Sequence, residues 1–428
     1  MTTHTGSRPT TAGTRLTLWI LGAAWFVLFL WGLWGLWARI TTGHELADYG
    51  SYIVWGLWVS AYIYFIGLSA GAFLLSSLVY VGNVKKLEKV GKIALFTAVV
   101  TLFMALLAIW FDLGHMGRFT KVYTQPNFSS MMAWMVWLYT AYFILLIVEL
   151  WFAMRPDMVR WSASPSGWKR TFGRIVLLGR TESKPDHDRK VLRVLGTIGI
   201  PLAIAFHGGV GALFGTVIAR PYWNTPLVPV LFLTGALVSG GALMMAIVAV
   251  LWPKRDPDYR SILALLSKIV LGLLLFDIVL EWAEFSIPLW YGIGPEVELL
   301  KQVLFGQYWW MFWLLHIGLG VVVPIILLVW VKKPWAIASA GALIAVTFMT
   351  VRLNIVVPGL VTPELEGIQD AFVDNRLTFS YTPSMFEWAV LAFIVSIGIA
   401  AFVAGARFLP IIGRERDPED VEDAVALS

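Results

Sequence analysis

Cysteine is absent from all 428 residues. That absence excludes disulfides, thiolate-ligated iron–sulfur clusters, covalently attached c-type haem and a cysteine nucleophile within this chain. Charge is scarce as well: Asp, Glu, Lys and Arg make up 14% of the residues, against about 25% in ordinary soluble domains. There is no glycine-rich phosphate loop, zinc-ligand spacing or hydrolase triad. The formal charge of +5 is not gathered into a basic patch, so nucleic acid is not an expected partner.

What is present is apolar. Hydrophobic residues reach 58%, with 23 Trp, and the mean hydropathy is +0.75. Such a chain buries its apolar surface in lipid, and indole rings favour the membrane–water boundary. A helix needs about 20 apolar residues to cross a bilayer, because every backbone polar group must be paired within the segment. That length identifies ten spans: 16–38, 52–82, 91–111, 131–154, 194–218, 227–252, 261–289, 307–331, 335–357 and 384–408. The first is too long for a signal-peptide core and runs into Arg39 without a small-residue cleavage site, so it is read as a helix.

Topology follows from the basic residues. With both termini in the cytoplasm, 24 Lys and Arg fall on the inner side, ten of them between Arg155 and Arg193. Seven fall outside: Arg39, Arg118, Lys121, Arg220, Lys301, Arg352 and Arg376. The expectation is a multi-pass protein of the cell (inner) membrane. The inner segment 155–193 reads as a basic linker on the membrane surface. The outer segment 358–383 carries Glu364, Glu366, Asp370 and Asp374 among aromatics and reads as an ordered cap.

The chain also repeats itself. SAGAFLL (69–75) pairs with SGGALMM (239–245), Phe111-Asp112 with Phe276-Asp277, and WMVWL (134–138) with WMFWL (310–314). The offsets are 170, 165 and 176, each four spans apart, so the copies share one orientation in the membrane. The expected fold is therefore an all-α polytopic membrane protein of two four-helix bundles, spans 2–5 and 6–9, flanked by spans 1 and 10. The corresponding divisions are 1–51, 52–218, 227–357 and 358–428. Small residues at Gly67–Ala72 and Ser239–Ala242 allow close helix approach.

Ionisable groups inside a bilayer mark candidate sites. Asp112, His115 and Arg118 close span 3 at three- and four-residue spacing, which places them on one face if the helix continues. An acid, an imidazole and a guanidinium there suit binding of a quinone carbonyl and exchange of its protons. In span 7, Asp277, Glu281 and Glu284 form a carboxyl stripe, the pattern of a proton relay, and His316 in span 8 is a candidate fourth member. His207 and His316 lie in different predicted bundles, which argues against a shared b-type haem. Glu149, near the inner end of span 4, reads as a snorkelling carboxylate.

Three segments, IYFIGLSAGAFLL (63–75), DLGHMGRF (112–119) and PNFSSMMAWMVWLY (126–139), resemble the NrfD/PsrC-like membrane subunits of polysulfide reductase and related respiratory complexes. The resemblance covers nearly the whole chain. The family often has a proline soon after the DLG, where this chain has Met116 and Gly117. The resemblance implies a subunit of an oxidoreductase complex that binds menaquinone or ubiquinone near the outer face at Asp112, His115 and Arg118, with no haem or cluster of its own. It implies electron exchange with a docked ferredoxin-like four-cluster iron–sulfur subunit, itself joined to a molybdopterin, hydrogenase or multihaem cytochrome subunit. Buried carboxyls and internal repeats also suit a proton-coupled secondary transporter.

Overall fold

The computed structural model describes residues 12–412 apart from 165–166, 178, 180–181, 183, 253–254, 364, 366, 373 and 375. Glu364 and Glu366 of the acidic segment lie outside these, as do Arg8, Arg180, Lys254, Arg414 and Arg416.

Among the described residues, ten helices are long and apolar enough to cross a membrane: Arg15–Thr42, Leu57–Tyr80, Lys85–Asp112, Met131–Ala163, Pro185–Gly215, Val228–Leu251, Pro257–Tyr291, Met311–Val331, Pro334–Val361 and Met385–Phe408, here spans 1 to 10. No strand occurs among the described residues. All ten predicted spans are therefore present, and the protein is an all-α, multi-pass membrane protein. Spans 4 and 7, of 33 and 35 residues, extend about 50 Å at 1.5 Å per residue and project beyond a hydrocarbon core of about 30 Å.

Local chemistry sets several helix ends. Asp256 caps span 7, its carboxyl accepting from the Tyr259 amide at 2.7 Å, and the same helix stops at Gly292 in the left-handed region, φ 65°. Span 10 opens with a reciprocal cap between Ser384 and Glu387. Span 8 is wound as π-helix over Met311–Val322 and Leu327–Val331, with one α turn at Val323–Ile326. Such winding is rare and recurs at functional sites.

Spans 2 and 6 form the interior seam. Span 2 packs on spans 3, 5 and 6, while span 6 packs on spans 5, 7 and 9. Spans 1 and 10 pack on each other, and span 10 lies against span 3. Large apolar side chains remain exposed around the periphery, including Trp19, Trp37, Trp282 and Trp330, the surface that lipid would cover.

Cross-connections sort the loops onto two faces. On the basic face, Lys89 pairs with Asp258 at 2.9 Å, Arg155 with Asp188 at 2.6 Å, and Lys92 with Asp157. On the opposite face, the Ser51 amide donates to Arg376 O at 3.0 Å, and Trp223 Nε1 donates to Ile355 O at 2.7 Å. Tyr52 stacks on Phe379, so part of the acidic segment is fastened to the chain entering span 2.

Candidate functional site

The helix of span 3 does not continue through the DLGHMGRF motif. It stops at Asp112, because Leu113 is extended at φ −62°, ψ 128°, and a short 3-10 turn follows at Met116–Arg118. The expectation that Asp112, His115 and Arg118 share one helical face is thus overturned. Two glycines, Gly114 and Gly117, weaken helical continuation, and an arginine from span 1 captures the carbonyls at the break.

That arginine is Arg39, which is buried. Its Nε donates to Phe111 O at 2.7 Å and its Nη2 to Leu113 O at 2.6 Å. Nη2 also lies 2.8 Å from His44 Nε2, and His44 Nδ1 lies 2.5 Å from the Tyr49 hydroxyl. The guanidinium carbon is 6.0 Å from the centroid of Trp58. Asp112 Oδ1 is buried with no hydrogen-bond partner. His115 and Arg118 are exposed, and together with Arg39 they line an open cleft of about 530 Å³.

Beneath this cleft lies a second knot of polar groups. Glu387 is fully buried at the start of span 10. It accepts from the Asp48 amide at 3.1 Å, the Ser384 amide at 3.0 Å and the Tyr381 hydroxyl at 2.5 Å. The Tyr381 hydroxyl in turn accepts from the Leu57 amide at 2.7 Å. Burial first, and then the neighbouring Glu387 carboxyl, push the Tyr381 phenol far above its usual range and keep it a donor. Tyr49 is raised in the same direction by burial, then by Asp112 and Glu387.

The four predicted relay residues converge on one cavity of about 60 Å³, lined by Asp277, Glu281, Glu284 and His316 together with Arg352 and Asn354. Asp277 Oδ1 accepts from Thr234 Oγ1 at 2.5 Å, Glu281 Oε2 lies 2.8 Å from His316 Nε2, and Glu284 Oε1 accepts from Thr225 Oγ1 at 2.7 Å. Both amide atoms of Asn354 and His316 Nδ1 are buried without partners. A cavity this size holds a few waters, and those atoms would be their partners. A larger recess of about 320 Å³ shares Tyr222 and Glu284 in its wall. The carboxyl stripe therefore runs from a recess near the end of span 7 to Asp277 in its middle.

Arg352, counted on the outer side and within predicted span 9, is buried in that helix, 4.7 Å from the Phe232 ring centroid. Phe232 O receives both Arg352 Nη2 at 3.3 Å and His207 Nε2 at 2.7 Å. His207 and His316 thus each direct Nε2 at a protein partner. Glu149 does not snorkel: it is 1% exposed, and its Oε1 has no partner. Its helix continues to Ala163, and the side chain is covered by the protein rather than reaching outward.

Sequence reasoning missed Arg39, His44, Glu387, Tyr381, Arg352 and Asn354 as site residues. One signal was available: Ser384-Met385-Phe386-Glu387 is the S-x-x-E pattern of a reciprocal helix cap. Arg39 and Arg352 are joined to their carbonyl partners by contacts distant in the chain, while His44 and Tyr381 lie within six residues of their side-chain partners in segments of no regular helical spacing.

Comparison with known proteins follows the same lines. A family model described as "Polysulphide reductase, NrfD" matches residues 46–364. The C subunit of selenate reductase from Mesobacillus selenatarsenatis is 37% identical over 391 residues, 89% of this chain and 91% of that protein. The Hdr-like menaquinol oxidoreductase integral membrane subunit of Archaeoglobus fulgidus is 27% identical over 386 residues, 87% and 88% of the two chains. The menaquinone reductase integral membrane subunit of Nitratidesulfovibrio vulgaris is 24% identical over 414 residues, 92% and 91%. With a family model spanning most of its length and ten membrane-crossing helices, the chain belongs to the polysulphide reductase NrfD family.

Proposed function

We propose that this protein is the quinone-reacting membrane subunit of a respiratory oxidoreductase complex. In this reading the basic face is cytoplasmic, as are both termini, and the quinone site lies on the opposite, outer side of the cell membrane. Residues 52–218 and 227–357 are taken as the two four-helix units, supported by the sequence repeat. The observation that carries the reading is Asp112. Its Oδ1 is buried and unpartnered, and the residues that follow it in the chain, His115 and Arg118, wall a cleft together with Arg39.

These groups suit a quinone headgroup: a carboxyl and an imidazole to exchange protons with its oxygens, and guanidinium donors to orient them. Menaquinone or ubiquinone, when bound, supplies two-electron, two-proton redox chemistry. Asp112 Oδ1 and the His115 ring hold the exchanged protons, and Arg118 orients the headgroup. Names of the relatives support this class, since two refer to menaquinol oxidation or menaquinone reduction. Electrons pass to or from a ferredoxin-like iron–sulfur subunit resting on 112–130 and 358–383, itself joined to a catalytic partner of molybdopterin, hydrogenase or multihaem cytochrome type.

Asp277, Glu281, Glu284 and His316 form a proton relay leading inward from the recess at Glu284, supported by their shared cavity. The same cavity favours a second reading, a proton-coupled carrier. A carrier purifies active on its own, whereas a quinone-reacting chain purifies together with its electron-carrying partners.

The test is Asp112→Asn in the assembled complex. Quinol turnover is expected to fall at least about 100-fold with assembly intact. Unchanged turnover removes the assignment.

A further inference from the structure

Arginine near a membrane boundary ordinarily extends its charge toward water. Arg39, close to the end of span 1, does the opposite and is only 3% exposed. Its planar fork grips Phe111 O at 2.7 Å and Leu113 O at 2.6 Å, both in the short range of charge-assisted bonds. These two carbonyls flank Asp112, so the guanidinium holds the chain on either side of that residue.

The last carbonyls of a helix need outside partners. Arg39 supplies one for Phe111 and, one step past the helix end, one for Leu113. The extended geometry of Leu113 directs the chain away from the helical path at the residue after Asp112. Meanwhile Arg39 Nη1 makes no hydrogen bond to any described residue, and the side chain forms part of the wall shared with His115 and Arg118.

We propose that Arg39 is a positioning residue of the quinone site: it sets where span 3 stops, fixes the Asp112 carboxyl beside the cleft, and keeps a permanent positive charge next to it. This rests on the quinone reading of the cleft. The fork geometry matters, because a lysine point charge cannot hold two carbonyls in plane.

The experiment uses the assembled complex with Arg39→Gln and Arg39→Lys. Binding of the fluorescent quinone analogue 2-heptyl-4-hydroxyquinoline N-oxide is read by quenching, beside kcat and KM for a soluble menaquinol analogue. Arg39→Gln is expected to weaken analogue binding about tenfold and lower kcat about 100-fold. Arg39→Lys restores the charge but not the grip, so binding returns to within about threefold of wild type while kcat stays about tenfold low. Equal impairment of both variants assigns the effect to the grip alone and also supports positioning.

An assembled Arg39→Gln complex with binding and kcat within about twofold of wild type overturns the proposal. If Arg39→Gln does not assemble, Arg39→Lys decides: wild-type kcat overturns it, and a tenfold loss with analogue binding retained supports it. Asp112→Asn run in parallel separates the two layers. An active Asp112→Asn complex, or a wild-type complex that binds no analogue, removes the quinone site itself. An inactive one beside a wild-type-like Arg39→Gln removes only the role of Arg39.

Discussion

Gly71 of span 2 and Gly240 of span 6 meet backbone to backbone. A Cβ on Gly71 would lie 2.8 Å from Gly240 Cα and 2.2 Å from the carbonyl oxygen of Ala236. Both glycines belong to the repeated motifs SAGAFLL and SGGALMM, so the two copies of the repeat touch where they are most alike. Small residues at such a crossing let the helices approach and gain dispersion contacts that lipid cannot replace.

Gly71→Val should therefore overpack the seam and destabilise the protein by about 1–3 kcal/mol or more. The measurement is thermal unfolding in detergent, with Gly272→Ala as control, because a Cβ at Gly272 meets nothing within 4 Å. Equal melting temperatures for the two variants would show that the seam does not depend on close approach.

Glu387 satisfies two amides and a tyrosine hydroxyl at once. Glu387→Ala strands all three, at about 1–3 kcal/mol for each buried group left unpaired. Ser384→Ala removes only the cap bond to the Glu387 amide and should cost about 1 kcal/mol. Thermal unfolding should therefore rank Glu387→Ala well below Ser384→Ala.

Glu281→Gln keeps a group able to hydrogen-bond His316 but removes the exchangeable carboxyl proton. In proteoliposomes, the complex should retain quinol turnover within about threefold while coupled proton movement falls about tenfold or more. A variant with unaltered proton movement would exclude Glu281 from the relay.

His44 gives a pH dependence whose sign is fixed. Burial first, then Arg39 and Arg376, lower its imidazole pKa, against an opposing hydrogen bond to Leu113 O; the Tyr49 hydroxyl and the Trp58 ring complete its surroundings. Below the ordinary imidazole value of about 6.5, the unfolded chain binds the proton and the folded chain does not. Stability is therefore lost as pH falls from that value toward the lowered one. His44→Gln should flatten this limb of a melting-temperature profile while leaving the profile above pH 7 in place.

The acidic stripe of span 7 was legible because helical periodicity brings Asp277, Glu281 and Glu284 onto one face without help from any other segment. His316 meets it at Glu281 across a gap of 35 residues. The Asp112 trio was misread for the complementary reason. The carbonyls at the helix end are held by Arg39, which is 72 residues away from its Phe111 partner in the chain. Glu149 was misread because its place in the apolar run does not report whether that face of the helix is covered by the rest of the protein. The burial of Arg352 was not legible because its position near a span end does not disclose a partner in span 6.

By itself, the sequence determined that this chain lives in a membrane and how many times it crosses, because backbone groups in hydrocarbon must bond within their own helix and about 20 apolar residues are needed to do so. It also placed the three carboxyls of span 7 on one helical face and contained the doubling of the SAGAFLL segment. Only the tertiary structure decided how the chain is held just past span 3, which arginines turn inward and which polar atoms remain without partners. Those outcomes depend on hydrogen bonds between segments far apart in the chain, whose geometry no local pattern carries.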